Sequence, residues 1–598
     1  MSTTITGAED VVWNLSDLYP ELGHLHSELD EALGAVKAFR DNYYGKVAGL
    51  DASGLLEAVT EAERIATLVY RAEAYSYMDF SMNTADPKRG ALLQLVKEKN
   101  AAVSTETLFF NLEWIAVDDA QAKKLLEDPV LETYRHYLES QRRYKPYVLS
   151  EPEERIVTEK DVTGKSAWQR LFEENNATLR VQVEGHDEPD LSFEVAIALL
   201  QQPDRDLRRR AAEGVTEAVK NNIKVPTFIF NTVLQDKATS DRLRGYPHWL
   251  ASRNLSNEAS DESVQALIDA VVERYDIPQR YYKLKAKIMG LDSLPDWDRY
   301  APLTQDSTSV PWSEAEKIIR DAYSSFSDEA GRIIGDFFDK KWIDAAPTKE
   351  KSSGAYCVTT LPGVHPYMMM SYTGDRRAVL VLAHELGHGL HGALASKHGL
   401  FNASAPITLA ETASVFGEAI TFQSLLEAEQ DPHKRLDLLA GRIEDAIATS
   451  FRQVSLNRFE DSLHTARREE GELSAERIGE LWENSQKAMF GDAIEMTEGY
   501  RTLWWSYISH FIHTPGYVYG YSFGYLFSLA IYNKYREEGD SMIEPYLELL
   551  RAGGSEKPEN IASKVGIDLT DTGFWHRALK TMDEEVTEAE KLAATLYK

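Results

Sequence analysis

The sequence predicts a mainly α-helical protein with a small β-sheet beside one chemically distinctive helix. Three observations predict it. Apolar residues recur at three- and four-residue spacing through most of the chain. Short runs rich in Tyr, Val, Thr and Met, punctuated by Gly and Pro, are confined to residues 349–372, directly before that helix. At 598 residues the chain is too long for one simple core, so several domains or subdomains are expected.

The elements follow in order. Residues 52–78, 84–115, 118–141 and 201–237 place apolar positions among Ala, Glu, Lys, Arg and Leu, the pattern of helices with one buried face, and Asp51-Ala-Ser-Gly is a turn into the first. Residues 174–197 interrupt this. Leu179-Arg-Val-Gln-Val alternates, and Asp187-Glu-Pro-Asp-Leu-Ser-Phe reads as a turn followed by an extended or capping segment. The interruption sets an expected boundary near residue 200, between an N-terminal helical domain (1–200) and a second domain (201–598). Helical patterning resumes over 258–289 and 313–338, around an aromatic, proline-rich loop that starts at Asp292. Segments 349–360 and 361–372 read as strands, and Pro362 and Pro366 suit an edge strand better than a central one. Residues 376–396 form the next helix, in which Gly387 and Gly389 lower propensity but allow another backbone to come close. Residues 582–598 read as a solvated helix or a fraying end.

The net charge of −31 argues against nonspecific nucleic-acid binding and against adhesion to an anionic membrane, both of which need a positive surface. Cys357 is the only cysteine, which rules out an internal disulfide and a cysteine-rich metal cluster and fits a reducing compartment. The first ten residues lack the basic start and apolar core of a signal peptide. No apolar run approaches the roughly 20 residues that span a bilayer. The expectation is a soluble cytoplasmic protein.

Residues 384–391 read His-Glu-Leu-Gly-His-Gly-Leu-His, an H-E-x-x-H pattern in a helix-compatible apolar stretch. On a helix His384 and His388 share one face a turn apart, so both imidazoles reach one metal ion. Glu385 starts near that face and can act as general base on a water that the metal activates. Two histidines leave the site short of one protein ligand. Glu411, set among Leu409, Ala410, Ala413, Val415 and Phe416, would be costly to bury unpaired, and coordination resolves that cost. Two His and one Glu leave a position open for water, which favours catalytic over structural zinc, one ion per chain. Glu418 lies two turns on and can orient His384 or His388. His391 is read first as structural, not as a ligand.

Downstream, His510-Phe-Ile-His-Thr-Pro-Gly-Tyr-Val-Tyr-Gly-Tyr gathers two histidines and three tyrosines. Amide hydrolysis puts negative charge on the carbonyl oxygen, and a phenol or imidazole aimed there stabilises it. Tyr517 and Tyr521 are four apart and share a face if the stretch is helical.

His384-Glu-Leu-Gly-His, Glu411-Thr-Ala-Ser and the Gly-Tyr-x-Tyr-x-Tyr segment together resemble the M3 family of zinc metallopeptidases, and within it oligoendopeptidase F. The resemblance extends to Trp13-Asn-Leu-Ser-Asp-Leu-Tyr and to a catalytic region over 205–585. It implies a zincin-type, mostly helical metallopeptidase whose two halves flank a deep channel admitting short unfolded peptides. It also implies a small sheet whose edge pairs with substrate, with Gly363–Tyr372 the candidate edge. The resemblance makes His384, His388 and Glu411 zinc ligands, Glu385 the base, and Tyr517 and Tyr521 the family's tyrosines. The histidine that precedes them is His513 or His510, with His513 taken first. The expected activity is zinc-dependent cleavage of internal bonds in short oligopeptides. The alternative is a zinc carboxypeptidase or aminopeptidase of related fold. Peptides are the expected partners, without nucleic acid or membrane, in a monomer or homodimer.

Overall fold

The computed structural model describes residues 5–303, 308–359 and 363–597. Residues 1–4 and Pro362 therefore lie outside the described residues. Contacts divide the chain into two units, each assembled from separated stretches: Met1–Lys145, Ser307–Ala428 and Ile531–Asp568 form one, and Pro146–Asp306, Glu429–Ala530 and Leu569–Lys598 the other.

Three long helices open the first unit: α1 (Leu22–Tyr43), α2 (Ala52–Met82) and α3 (Pro87–Ala116). Asp51 caps α2 by accepting the Gly54 N–H, and Asp86 caps α3, with Pro87 at the position that tolerates a missing N–H. Their apolar faces meet around Val36, Phe39, Ile65, Phe110 and Trp114. The periodic run 118–141 is interrupted by Pro129 and becomes helices Asp119–Leu126 and Arg135–Arg142 joined by a 3-10 turn. Segment 313–338 is likewise two helices, Trp312–Phe326 and Asp328–Asp339, because extended Ser327 caps the second through its side chain.

The strands are short: β1 (Arg180–Val181), β2 (Leu191–Ser192), β3 (Leu294–Pro295), β4 (Ile343–Asp344), β5 (Tyr356–Val358), β6 (Tyr367–Met369) and β7 (Ile494–Glu495). In the first unit they form a three-stranded sheet of order β4-β6-β5, with β4 parallel and β5 antiparallel to β6. This corrects the expectation that 363–372 is an edge. Strand β6 is central and its three residues are buried, and Pro366 stands one position before it, where it removes no ladder hydrogen bond. Among the described residues, strand β5 ends the sheet on one side. On the other side the opening segment runs past β4, with Ala345 N–H donating to the Val11 carbonyl and Asn14 N–H to Lys341. Trp13 packs edge-on against Tyr367 at 6.1 Å, so the N-terminal motif holds the sheet. Buried Lys351 ties the ends of β4 and β6 together, pairing with Asp344 and donating to the carbonyls of Ala346 (3.0 Å) and Met370 (2.7 Å).

In the second unit, β1 pairs antiparallel with β2, whose Ser192 caps the following helix, and β3 pairs parallel with β7. Fully buried Asp298 accepts from Arg208 at 2.8 and 3.0 Å, which fixes the Asp292 loop to helix Arg205–Asn222. Residues 582–596 complete a long helix, Thr572–Leu596, whose inner face buries Trp575, Leu579, Met582 and Val586. Among the described residues, no helix is long and apolar enough to cross a membrane.

Candidate metal centre and tyrosine cluster

The motif helix runs Arg376–Ala395. Asp375 starts it by accepting the Ala378 N–H at 2.8 Å, an N-cap contributing about 1 kcal/mol. Helix Thr412–Ala428 packs along it, and Gly387 marks the crossing. A methyl group there would fall on the Ala413 carbonyl oxygen and Ser414 Cα, so only glycine lets this backbone come so near. The close approach brings in Glu411. That residue does not sit within one apolar helix, as expected, but at the junction of the short helix Ile407–Ala410 and helix Thr412–Ala428. There its carboxylate is free to turn toward the motif helix while its carbonyl still accepts the Val415 N–H.

Ligand atoms of His384, His388 and Glu411 lie within 4.8 Å of one another, forming a group able to hold a metal ion. Glu411 Oε2 is 3.3 Å from His384 Nε2 and 3.6 Å from His388 Nε2. Ligands about 2.1 Å from a tetrahedral centre stand about 3.4 Å apart, so two imidazoles and one carboxylate at this spacing fit zinc and leave a coordination position over. The rings of His384 and His388 are nearly perpendicular, their centroids 5.0 Å apart. Ser414 Oγ donates to Glu411 Oε2 at 2.7 Å, and Glu418 Oε2 lies 3.4 Å from His384 Nδ1.

The charges respond to this packing. Burial works against the charged form of both His384 and Glu411. It is outweighed by their mutual hydrogen bond and, for His384, by Glu418, so His384 rises and Glu411 falls from the ordinary values. Burial lowers His388 to about 4, which keeps that imidazole neutral, as a ligand must be. Burial pushes Glu385 up to about 7, with His384 pulling it down and Glu411 pushing it up. Such a carboxyl exchanges protons near neutrality. His391 is buried, lowered to about 4 by burial, and outside the three-residue group. Its Nε2 has no hydrogen-bond partner among the described residues. Burial and the charge of Glu385 both raise the Cys357 thiol, so β5 runs close to that carboxylate.

The tyrosines belong to the second unit. Helix Tyr519–Glu538 begins after Tyr517, so Tyr517 sits on the preceding turn and not one helical turn below Tyr521. Their rings still meet edge-on at 5.1 Å. His510 Nε2 lies 3.4 Å from Tyr521 Oη, whereas His513 Nε2 faces Glu173 Oε1 at 2.6 Å on the surface. His510 and not His513 therefore joins the two tyrosines. Beneath them, a π-helical turn over Ile447–Phe451 exposes carbonyls of Thr449 and Ser450, to which Ser522 Oγ donates at 3.2 and 3.0 Å.

Comparison with known proteins is consistent with this geometry. The model of peptidase family M3 matches residues 198–581, more than half of the chain, and a model described as oligopeptidase F matches 113–180. Oligopeptidase PepF of Bacillus subtilis is 27% identical over 597 residues, covering 98% of this chain and 87% of that protein. A crystal structure from Chlamydophila abortus superposes with a TM-score of 0.88 at 23% identity, covering 98% of this chain and all of that one. The crystal structure of oligoendopeptidase-F from Enterococcus faecium gives 0.70 at 23% identity, covering 97% of this chain and 100% of that one, and both show a shared fold.

Proposed function

The chain belongs to peptidase family M3 and is a metalloendopeptidase acting on oligopeptides, and we propose that it works through one zinc ion held by His384, His388 and Glu411. The observation that carries this reading is the convergence of three donors on one point at zinc spacing. When bound, zinc would lower the pKa of the attacking water and polarise the scissile carbonyl.

Glu385 is the general base. Its carboxylate takes the water proton and returns it to the leaving amine, and its raised pKa supports both transfers. Glu418 accepts from His384 Nδ1 and so turns Nε2 toward the ligand point. Tyr517 and Tyr521, with a histidine, stabilise the oxyanion. The 3.4 Å contact with Tyr521 supports His510 in that role, and the Glu173 pairing supports a surface role for His513. The free edge of β5, not 363–372, is the strand proposed to pair with extended substrate. Short unfolded peptides are the proposed substrates. A catalytic region over 201–598, a cytoplasmic location, and the absence of nucleic-acid or membrane partners complete the proposal, the last supported by the net charge of −31.

The test is product mass spectrometry on a pool of short and long peptides, end-blocked and free, with and without a chelator. Internal cleavage of end-blocked peptides, abolished by the chelator and restored by zinc, is expected. Cleavage restricted to free termini would instead establish the exopeptidase alternative.

A further inference from the structure

The turn that carries Tyr517 is fixed from both sides. Gly516 adopts a left-handed backbone (φ +75°), and a side chain there would strike Leu250. Its N–H donates to Glu460 Oε1 at 2.8 Å, from helix Arg452–Glu470. Arg253, on the short helix Ala251–Ser256, donates to the Pro515 carbonyl at 3.4 Å, and its guanidinium stands 5.6 Å from the centre of the Tyr517 ring. On the other flank, Tyr519 Oη donates to Asn254 Oδ1 at 2.7 Å and accepts from Asn257 Nδ2 at 2.9 Å. Residues 515, 516 and 519 are thus pinned, and Tyr517 lies between the pins.

Glu460 is an expensive pin. It is 1% exposed, and its Oε2 has no hydrogen-bond partner among the described residues. Burial pushes its carboxyl up to about 8, with the Gly516 N–H and the Arg253 charge pulling the other way. A buried carboxyl that satisfies one amide destabilises the fold unless the turn it fixes is worth the cost. Resting on the reading of Tyr517 and Tyr521 given above, we propose that Glu460 and Arg253 are positioning residues that hold Tyr517 in the geometry required for oxyanion stabilisation.

The test is steady-state kinetics on an internally quenched, end-blocked peptide, with melting temperatures and zinc content measured on every variant. Glu460→Met removes the acceptor and is expected to lower kcat about 10- to 100-fold, the scale of a misplaced catalytic group. KM should stay within about twofold, since the loss is confined to the transition state. Glu460→Gln keeps an acceptor for the Gly516 N–H and should restore kcat. Arg253→Gln is expected to show the same split between kcat and KM, and serves if Glu460→Met does not fold. Tyr517→Phe separates the two layers of argument. If Tyr517→Phe keeps wild-type kcat, the tyrosine reading itself fails. If it is slow while Glu460→Met and Arg253→Gln turn over normally, the positioning inference alone fails. Glu460→Gln as slow as Glu460→Met would also overturn it. The double variant Glu460→Met/Tyr517→Phe should be no slower than Tyr517→Phe, and a full product of the two losses would mean that Glu460 acts elsewhere.

Discussion

Glu418 Oε2 lies 3.4 Å from Nδ1 of His384, while Glu411 Oε2 lies 3.3 Å from Nε2 of the same ring. One imidazole is bracketed by two carboxylates with different tasks. A proton held on Nδ1 by Glu418 would present Nε2 to a metal ion, with Glu411 beside it as a second ligand.

Removing the outer carboxylate should therefore cost zinc without removing a ligand. Glu418→Ala is expected to weaken zinc binding about 10- to 100-fold. Competition with a chromophoric chelator measures this directly, independently of activity. Unchanged zinc affinity would show that Glu418 does not orient His384.

Gly387 is where the two site helices touch, and Gly387→Ala places a methyl on the Ala413 carbonyl. Backbone cannot yield as a side-chain tip can, so a destabilisation of about 1–3 kcal/mol is expected. Because the shift also moves Glu411, zinc affinity should fall with stability. Chemical denaturation and zinc titration on one preparation check both, and a variant as stable and as tight as wild type contradicts the packing argument.

The two histidines of the tyrosine segment should differ. Tyr521→Phe and His510→Ala are each expected to lower kcat by about 10²–10³ if they face the oxyanion. His513→Ala breaks a partly exposed pair with Glu173 and an edge-on ring contact with Phe172, and should leave kcat within about threefold, with stability lowered by about 1 kcal/mol. Equal losses at positions 510 and 513 would contradict this division.

Glu460 also gives stability a pH dependence of definite sign. Its folded value of about 8 stands above the ordinary 4.5. Through that interval the folded chain keeps a proton that the unfolded chain has lost, so stability falls as pH rises. The contribution is complete below the ordinary value and gone once pH passes the folded one. The melting temperature of wild type should therefore decline relative to Glu460→Gln between about pH 5 and pH 9. A difference that stays constant over that range contradicts it.

Much of this site is legible in the sequence because its chemistry is local. The spacing of His384 and His388 commits them to one helical face, and an acid in an apolar run, Glu411, demands a partner. What escapes is what depends on distant pieces of chain meeting. The helix break at Glu411 accompanies the close packing of Gly387 on Ala413 and Ser414, which single-residue propensities do not show. The central place of β6 depends on β4, a two-residue strand too short to carry a pattern, and Pro366 misleads because it precedes the strand by one position. That His510 meets Tyr521 while His513 meets Glu173, 340 residues away in sequence, depends on a contact no local pattern carries. Glu460 looks like an ordinary helix acid until its burial beneath Gly516 is known. A signal for it exists in retrospect: it follows Phe459 on a face shared with Leu456 and Leu463, where an acid has no solvent.

In the proposed mechanism Glu385 moves the proton while His384, His388 and Glu411 hold the metal. Glu385→Gln tests it most directly, with metal content by elemental analysis and turnover of an end-blocked peptide measured on the same sample. The variant is expected to hold about one zinc per chain, as in wild type, with hydrolysis reduced by at least about 10³-fold. Near-wild-type turnover at full zinc occupancy would contradict it.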